Sequence, residues 1–247
     1  MKEPPKPIQG IAKAVVLLLV AQIVIAIAEA IALAHRIDVL QQLRNGSIAA
    51  AREGAAADDF VTTMATFDTI AFLTTVVIWC IWQHRAQTNA IELAGGGLRF
   101  TPGWAVGWWF IPIANLWKPF QAVRELWKAS HGGAAWQSLR TWPVIGWWWA
   151  IWMVSLVHVW FGERSGGVAF GTMPMGTPIT PTDIVTRDKW QILSLALRVF
   201  AAALAIKIVR SVVHAQETAP PRAAMPVGQP DFAIPDPPQR PDMATPG

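Results

Sequence analysis

Four stretches of this chain are nearly free of charge and about 20 residues long: 14–34, 60–82, 142–161 and 190–209. A helix rises 1.5 Å per residue, so about 20 apolar residues span the hydrocarbon layer of a bilayer. The alternative at 247 residues is one or two soluble domains. Such domains carry roughly 25% charged residues, whereas this chain has 15% charged and 53% hydrophobic residues. The runs therefore predict a bundle of membrane helices.

Lys2, Lys6 and Lys13 precede the first run, and Ala32-Leu33-Ala34 resembles a signal-peptide cleavage site. A signal core of about 7–15 residues is shorter than this run, so a retained first helix is expected. Residues 36–58 are polar and helix-prone, with a break at Asn45-Gly46, and Asp58 and Asp59 stand where N-caps belong. The second run ends at Gln83-His84-Arg85, and Gly95-Gly96-Gly97 marks a turn. Residues 162–188, rich in Gly, Pro and Thr, read as a loop. From Gln216 onward the chain carries nine prolines and little apolar periodicity, which predicts a disordered tail over 215–247. Residues 1–13 form an N-terminal segment ahead of the membrane domain, 14–214.

Twelve of the fifteen tryptophans fall between Trp104 and Trp160. The indole is a large apolar ring with one N–H donor and concentrates where hydrocarbon meets water. The run 104–117 is too short to cross, contains Pro112, and is followed by Pro119, which disfavours helical dihedrals at Lys118. Beyond it Leu116, Phe120, Val123 and Trp127 recur at helical spacing, with Lys118, Gln121, Arg124, Glu125 and Lys128 on the other face. Residues 103–130 therefore read as a re-entrant or interfacial element.

Charge balance orients the chain. If runs one, two, four and five cross and both ends are cytoplasmic, eleven Lys and Arg residues lie inside and six outside. Threading 103–130 through the bilayer removes that asymmetry. The expectation is an all-α protein with four crossings, about 14–35, 60–83, 142–161 and 190–210, in an inner membrane.

The stretch PGWAVGWWFIPIANLWKPFQAVRELWKAS, with the Trp-rich helix after it and the late AIKIVRSVVHAQ segment, resembles the bacterial membrane family catalogued as domain of unknown function 4328. The resemblance covers roughly residues 60–216. It implies a multi-spanning membrane domain and carries over no catalytic residue. Such domains usually show tyrosine in their aromatic flanks, and this chain has none.

Ionisable groups inside a membrane are costly and mark candidate sites. Glu29, Asp68 and Arg198 are those groups, with Gln22 beside them in the first run. Asp68 and Arg198 each lie about nine residues from the outer face, so matched depth predicts that they pair, with Glu29 as the second choice for Arg198. The pair reads as a structural link or as part of an ion relay. Trp108, Trp109, Pro112, Asn115 and Pro119 build the re-entrant element, where Asn115 caps the following helix or meets a solute. Lys118, Arg124 and Lys128 are candidate lipid head-group contacts. His35 with His158, or His84 with His214, are matched in depth for haem, but each sits at a helix end as an interfacial residue does. No cofactor or metal is expected. Cys80 is the only cysteine and reads as a packing residue.

The net charge of +4 suits anionic lipid rather than nucleic acid. Hydrolase, zinc-protease, phosphate-loop and dinucleotide signatures are missing. The expectation is a non-enzymatic membrane scaffold or interaction module, contacting lipids and protein partners or further copies of itself. The alternative is a small-solute or ion transport component with Asp68 and Arg198 in a polar pathway.

Overall fold

A computed structural model describes residues 7–165 and 180–219. Among them the chain forms six α-helices and no strand: α1 (Gln9–Arg44), α2 (Ile48–Ala94), α3 (Pro102–Gly107), α4 (Lys118–Gly132), α5 (Pro143–Ser165) and α6 (Pro181–Thr218). Short 3-10 turns at Trp108–Phe110 and Ala114–Leu116 join α3 to α4. Three helical segments are long and apolar enough to cross a membrane: Gln9–Arg44, Arg52–Ala94 and Thr182–Thr218. The apolar stretch Pro143–Leu156 of α5 is shorter.

The long helices outrun the apolar runs, and the reasons are local. α1 passes through Ala32-Leu33-Ala34 to Arg44 before Gly46, at φ 85°, turns the chain. Ser47 then caps α2, its side chain accepting from the Ala50 N–H. Asp58 and Asp59 thus lie inside α2 and are not caps, because the helix starts at Ile48, ten residues before Asp58. At the other end Gly95 takes the left-handed conformation, φ 75°, that a helix C-cap favours. The segment read as a loop to residue 188 is helical from Pro181, where Thr180 and Asp183 form a reciprocal capping box. α6 runs to Thr218, past residue 215 where the tail was expected to start. Residues 1–6, 166–179 and 220–247 lie outside the described residues, and with them most of the expected tail. Lys118 is helical, as the first residue of α4, and the chain bends one residue earlier, at Trp117 with φ −144°.

α1 packs against α2 and α6, and α6 against α5. Buried positions on α1 include Ala12, Val15, Leu19, Gln22, Ala26, Glu29 and Leu33, a series that alternates by three and four residues. That is the spacing of a helix seam. The exposed Leu17, Val20, Val24, Ile27 and Ile31 repeat the same steps on the opposite face.

Lys13 of α1 and His214 of α6 line one groove, whereas Arg36 and Asp188 pair near the other ends of these helices. α1 and α6 are therefore antiparallel. Gln216 of α6 donates to the Ala86 carbonyl of α2 at 2.9 Å. The start of α1 and the ends of α2 and α6 thus share one end of the bundle, here termed basal.

Tryptophans bridge the open side of the arc. Trp79 of α2 stacks on Trp148 of α5 at 5.9 Å between centroids and meets Trp109 edge-on at 6.3 Å. Trp109 also meets Trp149 and Trp152. Such pairs contribute about 0.5–1.5 kcal/mol each beyond area burial. The interfacial reading is therefore overturned for the tryptophans that pack in the core. Trp79, Trp82, Trp148 and Trp149 are core, while Trp104, Trp117 and Trp147 are exposed.

Candidate functional site

Polar side chains form layers along the bundle. Asp68 of α2 meets Arg198 of α6 through two contacts, Nη1 to Oδ2 at 2.8 Å and Nη2 to Oδ1 at 2.9 Å. This is the planar fork by which guanidinium binds carboxylate bidentately. Glu29 of α1 is buried and accepts a hydrogen bond from Gln191 Nε2 of α6 at 2.6 Å, so it pairs with an amide rather than with Arg198. Its second carboxylate oxygen is buried without a partner.

A further ionic layer lies about 15 Å along α6 from Arg198, at 1.5 Å per residue. Arg36 donates to the fully buried Asp188, with Nε to Oδ2 at 2.9 Å, and also reaches Asp58 at 3.4 Å. The sequence reading missed this layer, having assigned Asp188 to a loop and Asp58 to a cap. Its one available signal was that Arg36 and Asp188 each flank an apolar run.

At the basal end, buried amides hold the Trp-rich segment. Gln83 accepts from the indole N–H groups of Trp79 and Trp109, both at 2.9 Å, and donates to the Ala105 carbonyl at 3.1 Å. Gln87 donates to the Phe100 carbonyl at 3.0 Å, and the Phe100 N–H donates to Glu125 at 3.0 Å. Glu125 is therefore not on the polar face of α4. It is buried, because it satisfies a backbone donor that helix periodicity does not reveal. Residues 100 and 130 both lie at this end, since Gln216 also donates to Ser130 at 2.8 Å.

The remaining candidates are dispersed. Leu116 and Pro112 are exposed, while Pro119 is buried in the first turn of α4. Trp108 stacks near Trp104 at 4.8 Å. Asn115 does not cap α4, whose N-cap, Trp117, makes no side-chain cap bond. Lys118 Nζ stands 5.4 Å over the Trp108 ring and 5.9 Å over Phe100, and Arg124 stands 5.7 Å over Phe120. Both cations thus lie on aromatic faces. Lys128 donates to the Gln137 carbonyl at 3.4 Å. The His158 side chain, one of the depth-matched histidines, lies outside the described residues.

Between α4 and α6, Ser211 accepts from Trp127 Nε1 at 3.0 Å and contacts His131 Nε2 at 3.0 Å, while His131 Nδ1 faces the Trp127 carbonyl at 2.8 Å. Burial pushes the His131 pKa below its ordinary 6.5, nearby His214 adds to this, and the Trp127 carbonyl opposes it. The neutral ring, with Nδ1 protonated, satisfies both contacts.

Above the tryptophan bridge a cleft of about 230 Å³ opens between α2 and α5. Its back wall is α1 and α6, including Gln22, Ala26, Ala201, Ala202 and Ala205, and its floor is Trp109, Phe110 and Asn115. Arg198 lines the cleft, whereas Glu29 and Asp68 do not.

The family model described as Domain of unknown function (DUF4328) matches residues 44–214. The chain belongs to this family. The DUF4328 match begins at the end of α1 and runs almost to the end of α6, so Asp68, Arg198 and the whole Trp-rich segment are family territory. Gln22, Glu29 and Arg36 are contributed by a helix that precedes it. No curated protein and no solved structure matches the chain.

Proposed function

We propose that this DUF4328 protein is a non-enzymatic membrane scaffold, a bundle whose polar groups fasten its helices together and whose surface engages lipid and partner proteins or further copies of the chain. The observation that carries this reading is that each intramembrane ionisable group meets a side chain of another helix. Asp68 meets Arg198 and Glu29 meets Gln191, side chain to side chain across three helices. A conduction path instead calls for polar groups in succession along one aqueous cavity, and only Arg198 of the three ionisable residues lines the cleft.

In this reading α1, α2, α5 and α6 cross a bacterial inner membrane with both termini in the cytoplasm, and 103–130 enters and leaves at the basal, cytoplasmic end. Two features support the placement. Outward apolar side chains on α2 run from Phe60 to Ile81, about 31 Å at 1.5 Å per residue, which matches a hydrocarbon layer. Trp104, Phe110, Ile113 and Leu116 of the short segment are also exposed, as suits a wedge in one leaflet. The second reading, transport, draws on Arg198, which both pairs with Asp68 and faces the cleft.

Vesicles containing the purified protein and an entrapped pH-sensitive dye separate the two. The scaffold predicts proton leakage equal to that of protein-free vesicles under an imposed gradient. Leakage well above it, abolished by Asp68→Asn, would overturn the scaffold in favour of transport.

A further inference from the structure

A basal groove of about 450 Å³ runs between the start of α1 and the end of α6. Its apolar walls include Val16, Leu17, Val209 and Val213, and its polar residues are Gln9, Lys13, Arg210, His214 and Glu217.

Helix register sets the two cations at one level. Counting sixteen residues down α1 from Glu29 and up α6 from its partner Gln191 puts Lys13 opposite Lys207. Counting twenty-three from Arg36 and its partner Asp188 puts Lys13 opposite Ser211. Arg210 lies between those positions, so Lys13 and Arg210 stand level on the two walls of the groove they line. Both are exposed, and among the described residues neither has an ion-pair partner. By contrast, Arg36 and Arg198 are held by carboxylates, and Lys118 and Arg124 lie on aromatic faces. His214, one turn beyond Arg210, supplies a ring N–H donor in either charge state. Glu217 lies seven residues past Arg210, about 10 Å further toward water at 1.5 Å per residue. Lys13 and Arg210 outnumber it, which leaves the groove a net positive charge that one phosphodiester balances.

The groove leads into hydrocarbon in the membrane placement proposed above, on which this inference rests. Leu17 lies one turn deeper than Lys13, and the exposed Leu17, Val20 and Val24 continue up α1 by steps of three and four. A soluble anion has no use for that stripe, whereas a phosphate carrying acyl chains covers it. Basic pockets between membrane helices on the cytoplasmic side bind anionic head groups in this way.

We infer that the groove binds an anionic phospholipid of the cytoplasmic leaflet. Its phosphate sits between Lys13 and Arg210 and accepts from His214, and one acyl chain lies along Leu17, Val20 and Val24.

The test uses the full chain in dodecyl maltoside, titrated with dioleoylphosphatidylglycerol or dioleoylphosphatidylcholine, with bound lipid counted by native mass spectrometry. The anionic lipid is expected to bind about tenfold more tightly than the zwitterionic one. Lys13→Gln combined with Arg210→Gln is expected to remove that preference, and Lys13→Arg combined with Arg210→Lys to keep it. Lys207→Gln, exposed on the same helix but outside the groove, is expected to leave it unchanged. sn-Glycerol 3-phosphate, which has no chains, is expected not to displace phosphatidylglycerol. Equal binding of the two lipids by the native chain overturns the proposal. So does a preference that survives the loss of both cations, or displacement by glycerol 3-phosphate, which would make the groove a soluble-anion site. Should the double glutamine variant not fold, Lys13→Gln alone is expected to cost about threefold, and no loss overturns the proposal. Fusion reporters at the two termini test the membrane placement separately, so a failed titration with both ends cytoplasmic rejects the lipid site and not the topology.

Discussion

Asp68 and Arg198 illustrate how much a single residue's depth can reveal. Their similar distance from the ends of two apolar runs indicated the pairing partner, and the ion pair has bidentate geometry. Glu29 is different: its partner Gln191 is a neutral residue that no charge argument selects. Removing one member of a buried ion pair costs about 3–5 kcal/mol, because the other charge is left uncompensated. Asp68→Arg and Arg198→Asp are each expected to abolish recovery of monodisperse protein, and the double exchange to restore it. Failure of the double variant would show that the pair is not interchangeable. Gln83→Leu strands two indole N–H groups and is expected to cost about 1–3 kcal/mol for each, seen as a lower melting temperature in detergent. The lowered pKa of His131 gives a pH signature. Between the folded value and 6.5 the unfolded chain binds more protons than the folded one, so stability falls as pH drops below 6.5 and is flat above it. His131→Phe should remove that slope, and an unchanged slope would assign it to another group.

The helices were visible as apolar runs, but their ends were not. Hydrophobicity marks only what meets lipid, whereas α1, α2 and α6 continue into polar sequence. There the boundaries depend on caps: Ser47, Gly95 and the pair Thr180 with Asp183. Thr180→Ala is expected to weaken the first turn of α6 by about 1 kcal/mol, read as faster amide exchange over 182–186. The hydrogen bonds from Thr180, the side-chain one foremost, hold the Asp183 carboxyl below its ordinary 3.8. Its contribution is thus complete above pH 3.8 and is lost as pH falls through the lower folded value. α4 shows the limit of periodicity. Its pattern correctly gave an amphipathic helix, yet it put Glu125 on the wet side. That placement depends on the neighbouring segment, with Phe100 supplying the donor that draws Glu125 inward.

For the molecule as a whole, the membrane placement makes a directional prediction. A cysteine-reactive probe that cannot cross membranes should label Lys128→Cys from the cytoplasmic side only, once Cys80 has been replaced by Ala. Labelling from the periplasm alone would require 103–130 to cross. The sequence by itself determined that the chain is helical, apolar in runs of membrane length and tryptophan-rich in its middle, because these are properties of composition along a line. It also carried the resemblance to DUF4328, since that rests on a contiguous string of residues. Only the tertiary structure decided which tryptophans are core, which helix faces are buried, where Arg36 and Glu29 find their partners, and that a cleft opens between α2 and α5. In a helix apolar on every side the burial pattern has no contrast to read. The seam through Gln22 and Glu29 exists only because α2 and α6 pack against that side of α1.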